Sequence, residues 1–218
     1  MILHIETSST VCSVALSQHA ICLAHFDMHD PNMHSSHLSV FIDELMDKCS
    51  VSIKQLQAVA VSVGPGSYTG LRIGLSTAKG ICYATDAHLI AVPTLHAMAD
   101  LFLQRNIVSS TSYIIPVMDA RRQDVYTAVF SAKPDMVIES QAIEVNKDSF
   151  QSYLHHHPCH FIGNASNKVQ QLISPHPNAT FHHGIMPSSM GMIRIAEKMM
   201  SDKKFADLAY LEPIYRSM

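Results

Sequence analysis

The sequence carries no surplus of positive charge, and this absence is the first constraint on what it binds. Fifteen Lys and Arg stand against 18 Asp and Glu in 218 residues, a formal net charge of −3 with neutral histidines. A polyanion is normally held by clustered basic side chains. Arg121-Arg122 and Lys203-Lys204 are isolated pairs, so no nucleic-acid site of its own is expected of the chain. No apolar run reaches the roughly 18 residues of a membrane span, and no basic segment precedes an apolar core at the N-terminus; the expectation is a cytoplasmic protein without a membrane partner. The five cysteines, Cys12, Cys22, Cys49, Cys82 and Cys159, are odd in number and contain no C-x-x-C pair, which reads as reduced thiols and not as a disulfide framework. Charged residues make up only 15% and hydrophobic ones 47%, which argues against disorder and allows one sizeable core or two small ones.

Standard phosphate loops are missing as well. The run Leu56-Gln57-Ala58-Val59-Ala60-Val61-Ser62-Val63 reads as a buried strand, joined by Gly64-Pro65-Gly66 to a helix over 67–83 for which Ser67 is a good N-cap. A helix start after such a turn favours anions. Three residues separate Gly66 from Gly70, which breaks the dinucleotide spacing, and no glycine directly precedes Lys79 as a Walker loop requires. What remains is a ridge of Gly70, Gly74 and Ala78 at steps of four, nearly bare of side chains, with Leu71, Leu75 and Cys82 as an apolar stripe beside it. Interior helical glycine costs about 0.8–1.0 kcal/mol relative to alanine, so something must offset it. Either internal packing or a subunit contact does so. The second is the expectation, with Gly74→Leu displacing a partner helix.

Fifteen histidines raise the question of metal. His34 and His37 are three apart near a helix start, His156 and His160 form an H-x-x-x-H spacing, and His182-His183 is a third pair. Pro158 interrupts regular helix between the second pair, and the general-base glutamate of a zincin is missing. Compositional bias explains the histidines better, and no metal site is expected. No G-x-S-x-G nucleophile motif is present.

Periodicity places strands at 2–6, 11–17 and 20–28, with Gln18-His19 at a hairpin tip. A helix capped by Ser35 or Ser36 follows, with Leu38, Phe41, Ile42, Leu45 and Cys49 at helical spacing. Strand 56–63, helix 67–83, strand 88–92 and a helix capped by Thr94, with Leu95, Met98, Ala99 and Phe102 on one side, complete a βββαβαβα lobe. After the polar break at 105–112 come strands at 113–118, 123–131 and 136–145, a short helix near 148–155, a strand at 160–163, a helix near 166–173 and a longer one at 189–200. The expected division is 1–104 and 105–218, with the last helix packing back onto the first lobe.

Four blocks in order resemble the TsaB (YeaZ) family: Ile2-Leu3-His4-Ile5-Glu6-Thr7-Ser8-Ser9 with Cys12-Ser13-Val14-Ala15-Leu16; the central glycine segment; Asp119-Ala120-Arg121-Arg122 with Val125-Tyr126; and Pro213-Ile214-Tyr215-Arg216. The resemblance implies an α/β, two-lobe actin-like ATPase fold in abbreviated form. It implies a non-catalytic subunit that binds and activates a TsaD-type threonylcarbamoyl transferase, together with a TsaE-type ATPase. The product is N6-threonylcarbamoyladenosine beside the anticodon of tRNAs reading codons that start with A, with tRNA met only through the complex.

In that family the helices matching 36–49 and 67–83 pair with counterparts in the partner or in a second copy, as in a homodimer. This points to Leu38, Phe41, Leu45, Gly70, Arg72, Gly74 and Ala78 as interface residues. The turn Glu6-Thr7-Ser8-Ser9-Thr10, with Gly64 and Gly66, stands where actin-like ATPases contact phosphate, and is read as a vestige of that site. The catalytic relatives are marked by H-x-E-x-H; Thr94 and Met98 occupy the ligand places here, with His96 between them, and neither suits a hard or borderline ion. No cofactor is expected on this chain, while ATP and a metal ion are expected in the partner subunits. The alternatives are an ATP-dependent phosphotransferase or ATPase of the same fold, for which Gly163-Asn164-Ala165 is the nearest adenosine-site candidate, and a metalloprotease. The roles of Arg121 and Arg122 are open.

Overall fold

The structure, a computed structural model, describes residues 1–29 and 34–214. Strict alternation in the first strands decides how the first sheet is covered. In β1 (Ile2–Glu6), β2 (Val11–Gln18) and β4 (Ala58–Ser62), Leu3, Ile5, Cys12, Val14, Leu16, Val59 and Val61 point to one side and join one apolar cluster. Ile2, Ala58 and Ala60 point to the other side and join a second cluster, because side chains along a strand alternate between faces. With β3 (Ile21–His29) and β5 (His88–Val92) the sheet has the order β3-β2-β1-β4-β5, antiparallel through β1 and parallel beyond it. Residues His19 and Ala20 form the β2–β3 tip, at φ 50° and 59°, one residue later than the expected Gln18-His19.

Helices α1 (His34–Lys48) and α2 (Tyr68–Thr85) cover the first face. Ser35 and Ser36 lie inside α1, not ahead of it. The Ser67 side chain caps α2, accepting from the Gly70 N–H (3.2 Å), and α2 runs two residues past the expected end before Asp86 closes it at φ 58°. Helix α3 (Thr94–Arg105) follows. The opposite face of the sheet is covered by a late segment: a 3-10 turn at Ser189–Met192 and α6 (Ile193–Ser201), whose Met192, Ile195 and Ala196 pack with Ile2, Ala58, Ala60, Ile90, Val92 and Ala97. The segment is locked by polar contacts too. Asp27 accepts hydrogen bonds from Ser13 Oγ (2.5 Å) and Ser188 Oγ (3.1 Å), and the Ser189 N–H donates to Ser13 Oγ (2.8 Å).

The chain therefore divides differently from the expected 1–104 and 105–218. One compact unit holds Met1–Ala97 and the described residues from Pro187 onward, and the other holds Met98–Met186. The physical reason is the amphipathic 189–201 segment, whose apolar side completes the core of the first unit.

The second unit is built on a sheet of order β10-β9-β6-β7-β8, from β6 (Tyr113–Asp119), β7 (Asp124–Ser131), β8 (Met136–Glu144), β9 (Cys159–Ile162) and β10 (Ala179–His182). Its core centres on Ile115, Val117, Val125, Val129, Phe150, Leu154, Phe161 and Val169. The helix expected near 148–155 contracts to α4 (Gln151–Leu154), started by Phe150 at φ 66°, and α5 spans Ser166–Leu172. Strand β10 was not anticipated: Ala179-Thr180-Phe181-His182 holds one large apolar residue and no fully buried position. The mixed α/β plan, three antiparallel strands followed by parallel strands with intervening helices, is that of an actin-like fold.

Candidate functional site

The residues read as vestigial phosphate contacts do gather in one place, but they face inward. Glu6 closes β1 with a fully buried carboxyl. Its Oε1 accepts from the Ser8 N–H (2.6 Å) and Ser62 Oγ (2.9 Å), while Oε2 has no partner among the described residues. Burial, assisted by the negative charge of Asp27, raises its pKa, since a carboxylate loses hydration that these two bonds only partly replace. Thr7 Oγ1 donates to the Gly70 carbonyl (2.7 Å), and the Thr7 N–H to Ser62 Oγ (3.4 Å). The Ser8 carbonyl accepts from the Ser67 N–H (2.6 Å). Ser9 Oγ accepts from the Val11 N–H (3.1 Å).

The glycine loop is pressed directly on this turn. A Cβ on Gly66 would stand 2.3 Å from the Ser8 carbonyl oxygen, and one on Gly64 2.7 Å from that of Ile214. Of the seven residues only Thr10 is exposed and Gly66 partly so. The Ser67 N–H ahead of α2 is thus spent on the β1–β2 turn, and the Gly70 N–H on the Ser67 side chain.

The glycine ridge follows the same logic and corrects the expected interface. A Cβ on Gly70 would lie 2.0 Å from the Thr7 carbonyl oxygen, and one on Gly74 2.3 Å from Thr7 Oγ1 and 3.5 Å from Ile5. The ridge offsets its helical cost by letting α2 lie against the end of β1. Leu38, Phe41, Leu45 and Ala78 are buried in the same cluster as Leu3, Ile5, Val59 and Val61. Of the seven expected interface residues, only Arg72 is exposed. Its guanidinium lies over the Tyr68 ring at 3.9 Å, within the range of a cation–π contact.

The outward side of the same helices holds what the sequence reading passed over. Tyr68 and Tyr83 on α2 are 55% and 83% exposed and Val40 on α1 is 44% exposed. Between the tyrosines lies Gly80, where an added Cβ would meet nothing within 4 Å. No contact among the described residues explains this glycine. The sequence carries the signal, as Gly80 and Tyr83 sit off the Gly70–Gly74–Ala78 line.

Histidines come together in a pairing that spacing did not show. His160 Nδ1 and His182 Nε2 are 3.1 Å apart on β9 and β10, so one imidazole donates to the other, and burial lowers the pKa of both. His156 is no part of this pair, and the side chain of His34 lies outside the described residues. Among the described residues no group of three or more His, Cys, Asp and Glu is arranged to hold a metal. Thr94 is buried with no partner for its hydroxyl among the described residues, and Met98 is buried in the second unit. All five cysteines are free thiols; burial pushes Cys12 and Cys82 up to about 11 and Cys159 to about 12. No helix among the described residues is long and apolar enough to cross a membrane.

Against known proteins, residues 31–210 match the family model described as tRNA N6-adenosine threonylcarbamoyltransferase, TsaD. The chain is 25% identical over 222 residues to the tRNA threonylcarbamoyladenosine biosynthesis protein TsaB of Escherichia coli K12, covering 98% of this chain and 93% of that protein. It is 32% identical over 132 residues to the Bacillus subtilis protein of the same name, covering 61% of this chain and 56% of that one. Among solved structures, YeaZ from Pseudomonas aeruginosa superposes with a TM-score of 0.84 at 20% identity over 98% of both chains. A second Pseudomonas aeruginosa protein, described by its similarity to peptidase YeaZ, reaches 0.87 at 20% identity over 99% of both. At that identity the structural likeness establishes the fold.

Proposed function

We propose, from the premise that this chain belongs to the TsaD family as a member of its TsaB (YeaZ) branch, that it serves tRNA threonylcarbamoyladenosine biosynthesis as a non-catalytic subunit. It docks a TsaD-type catalytic subunit through the outward face of α1 and α2. Val40, Tyr68, Arg72, Gly80 and Tyr83 form that face; the buried ridge acts only as scaffold. The observation that carries the reading is Gly80. A glycine on the exposed side of α2, with open space around it, costs stability relative to alanine, and a partner helix packed at close range is what would offset that cost. Large tyrosines on either side suit the anchors of such a contact.

Support for the non-catalytic reading comes from Glu6, whose carboxyl is buried and held toward its protonated form, in the place where an ATPase of this fold would need an ionised, accessible acid. ATP and a metal ion then belong to the partner subunits, and tRNA is met in the assembled complex. A TsaE-type ATPase completes the set, in the cytoplasm. A second copy of the chain would use the same face in a homodimer.

Analytical ultracentrifugation of the chain with a TsaD-type subunit is the test. Tyr83→Asp is expected to weaken assembly by at least about 2 kcal/mol, some 30-fold, with the circular dichroism spectrum unchanged. Assembly at wild-type concentrations by a folded Tyr83→Asp, Gly80→Leu double variant would overturn the docking face. Steady ATP hydrolysis by the isolated chain, abolished by Glu6→Ala, would overturn the non-catalytic role.

A further inference from the structure

The β6–β7 hairpin of the second unit ends in two arginines whose backbone is unusual. Arg121 and Arg122 have φ of 78° and 46°, a region that glycine enters freely and that asparagine and aspartate tolerate best among the rest. Two successive arginines are a poor choice for it. Neither guanidinium has a hydrogen-bond or ion-pair partner among the described residues, and both side chains are exposed. Nothing inside the described part of the protein therefore accounts for arginine at either position.

The base of this tip is braced. Lys168 on α5 pairs with the Asp119 carboxylate and donates to the Asp124 carbonyl (3.2 Å), so it ties together the two strand ends that flank the tip. The Asp119 N–H donates to Asn164 Oδ1 (3.0 Å). Within the turn, the Asp124 N–H donates to the Arg121 carbonyl (2.9 Å) and the Ala120 N–H to the Asp124 carbonyl (3.2 Å). Behind the hairpin, Gly163 approaches so closely that a Cβ on it would stand 2.2 Å from the Val117 carbonyl oxygen. Lys168 is neutralised by Asp119, and Asp124 and Glu144 stand beside Arg122, so the charges around the tip balance and what it offers a ligand is the two exposed guanidinium groups themselves.

We infer that the Arg121–Arg122 tip is a phosphate-contacting element that holds the RNA backbone of the substrate in the assembled complex. The inference rests on the proposed role in tRNA modification. Guanidinium groups pair with phosphate oxygens through two parallel N–H bonds, and a braced tip loses little freedom when it binds. A recess of about 510 Å³ beside the tip is lined by Arg122, Gln123, Asp124 and Glu144. Its two carboxylates disfavour a small free anion settling inside, and leave a phosphodiester running over the outside of the tip. Two arginines are too few to hold RNA alone, in keeping with the chain's net charge of −3.

The test uses the full chain with its TsaD-type partner, and measures assembly first by ultracentrifugation, then tRNA binding against salt. Arg121→Ala/Arg122→Ala is expected to assemble normally and to bind tRNA roughly tenfold more weakly, with the slope of log affinity against log salt shallower by about one per arginine. The lysine pair Arg121→Lys/Arg122→Lys should restore most of the slope. Arg121→Asn/Arg122→Gly suits the backbone better, so it should raise the melting temperature while still losing tRNA affinity; a merely structural role would not separate the two. An assembled alanine variant with wild-type affinity and salt slope overturns the inference alone. Failure of the wild-type chain to assemble overturns the proposed function, and the inference with it.

Discussion

The two faces of the first sheet are built on opposite principles. Toward α1 and α2, β1, β2 and β4 present Leu3, Ile5, Cys12, Val14, Leu16, Val59 and Val61, and two glycines bring α2 down onto Thr7. Toward the 187–201 segment the same strands present His4, Glu6, Ser13, Ser17 and Ser62, all buried, beside Ile2, Ala58 and Ala60. One face is sensitive to volume, the other to charge. His4 Nε2 shares a hydrogen bond with Ser17 Oγ (2.7 Å) while Nδ1 has no partner among the described residues, and burial pushes its pKa down to about 3.

The largest effect should come from filling the volume-sensitive face. Gly70→Ala drives a methyl onto the backbone oxygen of Thr7, which cannot rotate away as a side chain would. The expected loss is about 3 kcal/mol or more in urea unfolding. Gly74→Leu should also unfold the chain, with no selective loss of partner binding.

Acid should then act on the other face, through His4. The folded pKa of His4 lies below its ordinary 6.5, so the unfolded chain binds the extra proton first. Stability is untouched above about pH 6.5 and falls as pH drops toward 3, by up to about 1.4 kcal/mol per unit. His4→Gln should flatten that slope in denaturant titrations across pH; an unchanged slope would assign it to other groups.

Glu6 titrates with the opposite sign. Its folded pKa is raised above the ordinary 4.5, so stability declines as pH rises from there through the folded value and is level beyond it. Glu6→Gln keeps the acceptor for Ser8 and Ser62, and its advantage over the native chain should grow through that window. No growth would mean that the carboxyl is ionised without cost.

The smallest effect marks the boundary of the comparison, on the side of α2 that faces neither core. Gly80→Ala should stabilise the isolated chain by about 0.8–1.0 kcal/mol while weakening partner assembly. A gain in stability with no loss of assembly would leave Gly80 without a contact to explain it.

Alternation in residues 2–6 and 11–18, and the strand-turn-helix joint at 58–68, were legible because their side-chain periods are local. The direction of the glycine ridge was not. Gly70 and Gly74 announce a close approach, but whether Thr7 or a foreign helix supplies it depends on a residue 63 positions from Gly70. The same limit hid the His160–His182 pair, set by the parallel register of β9 and β10; the return of the last helix to the first lobe is an expectation of the sequence, and its partners there are Ile2, Ala58 and Ala60. Strand β10 was missed because its four residues carry too little apolar pattern, and backbone angles at Arg121 and Arg122 contradict what arginine prefers.

That return has a consequence for the order of synthesis. A ribosome releases residues 1–97 with His4, Glu6 and the alanine side of the sheet bare, and then makes all of 98–186 before the segment bearing Met192, Ile195 and Ala196 emerges. The half made first is therefore the half completed last. A nascent chain stalled before Pro187 presents an open, partly apolar sheet surface, of the sort chaperones engage.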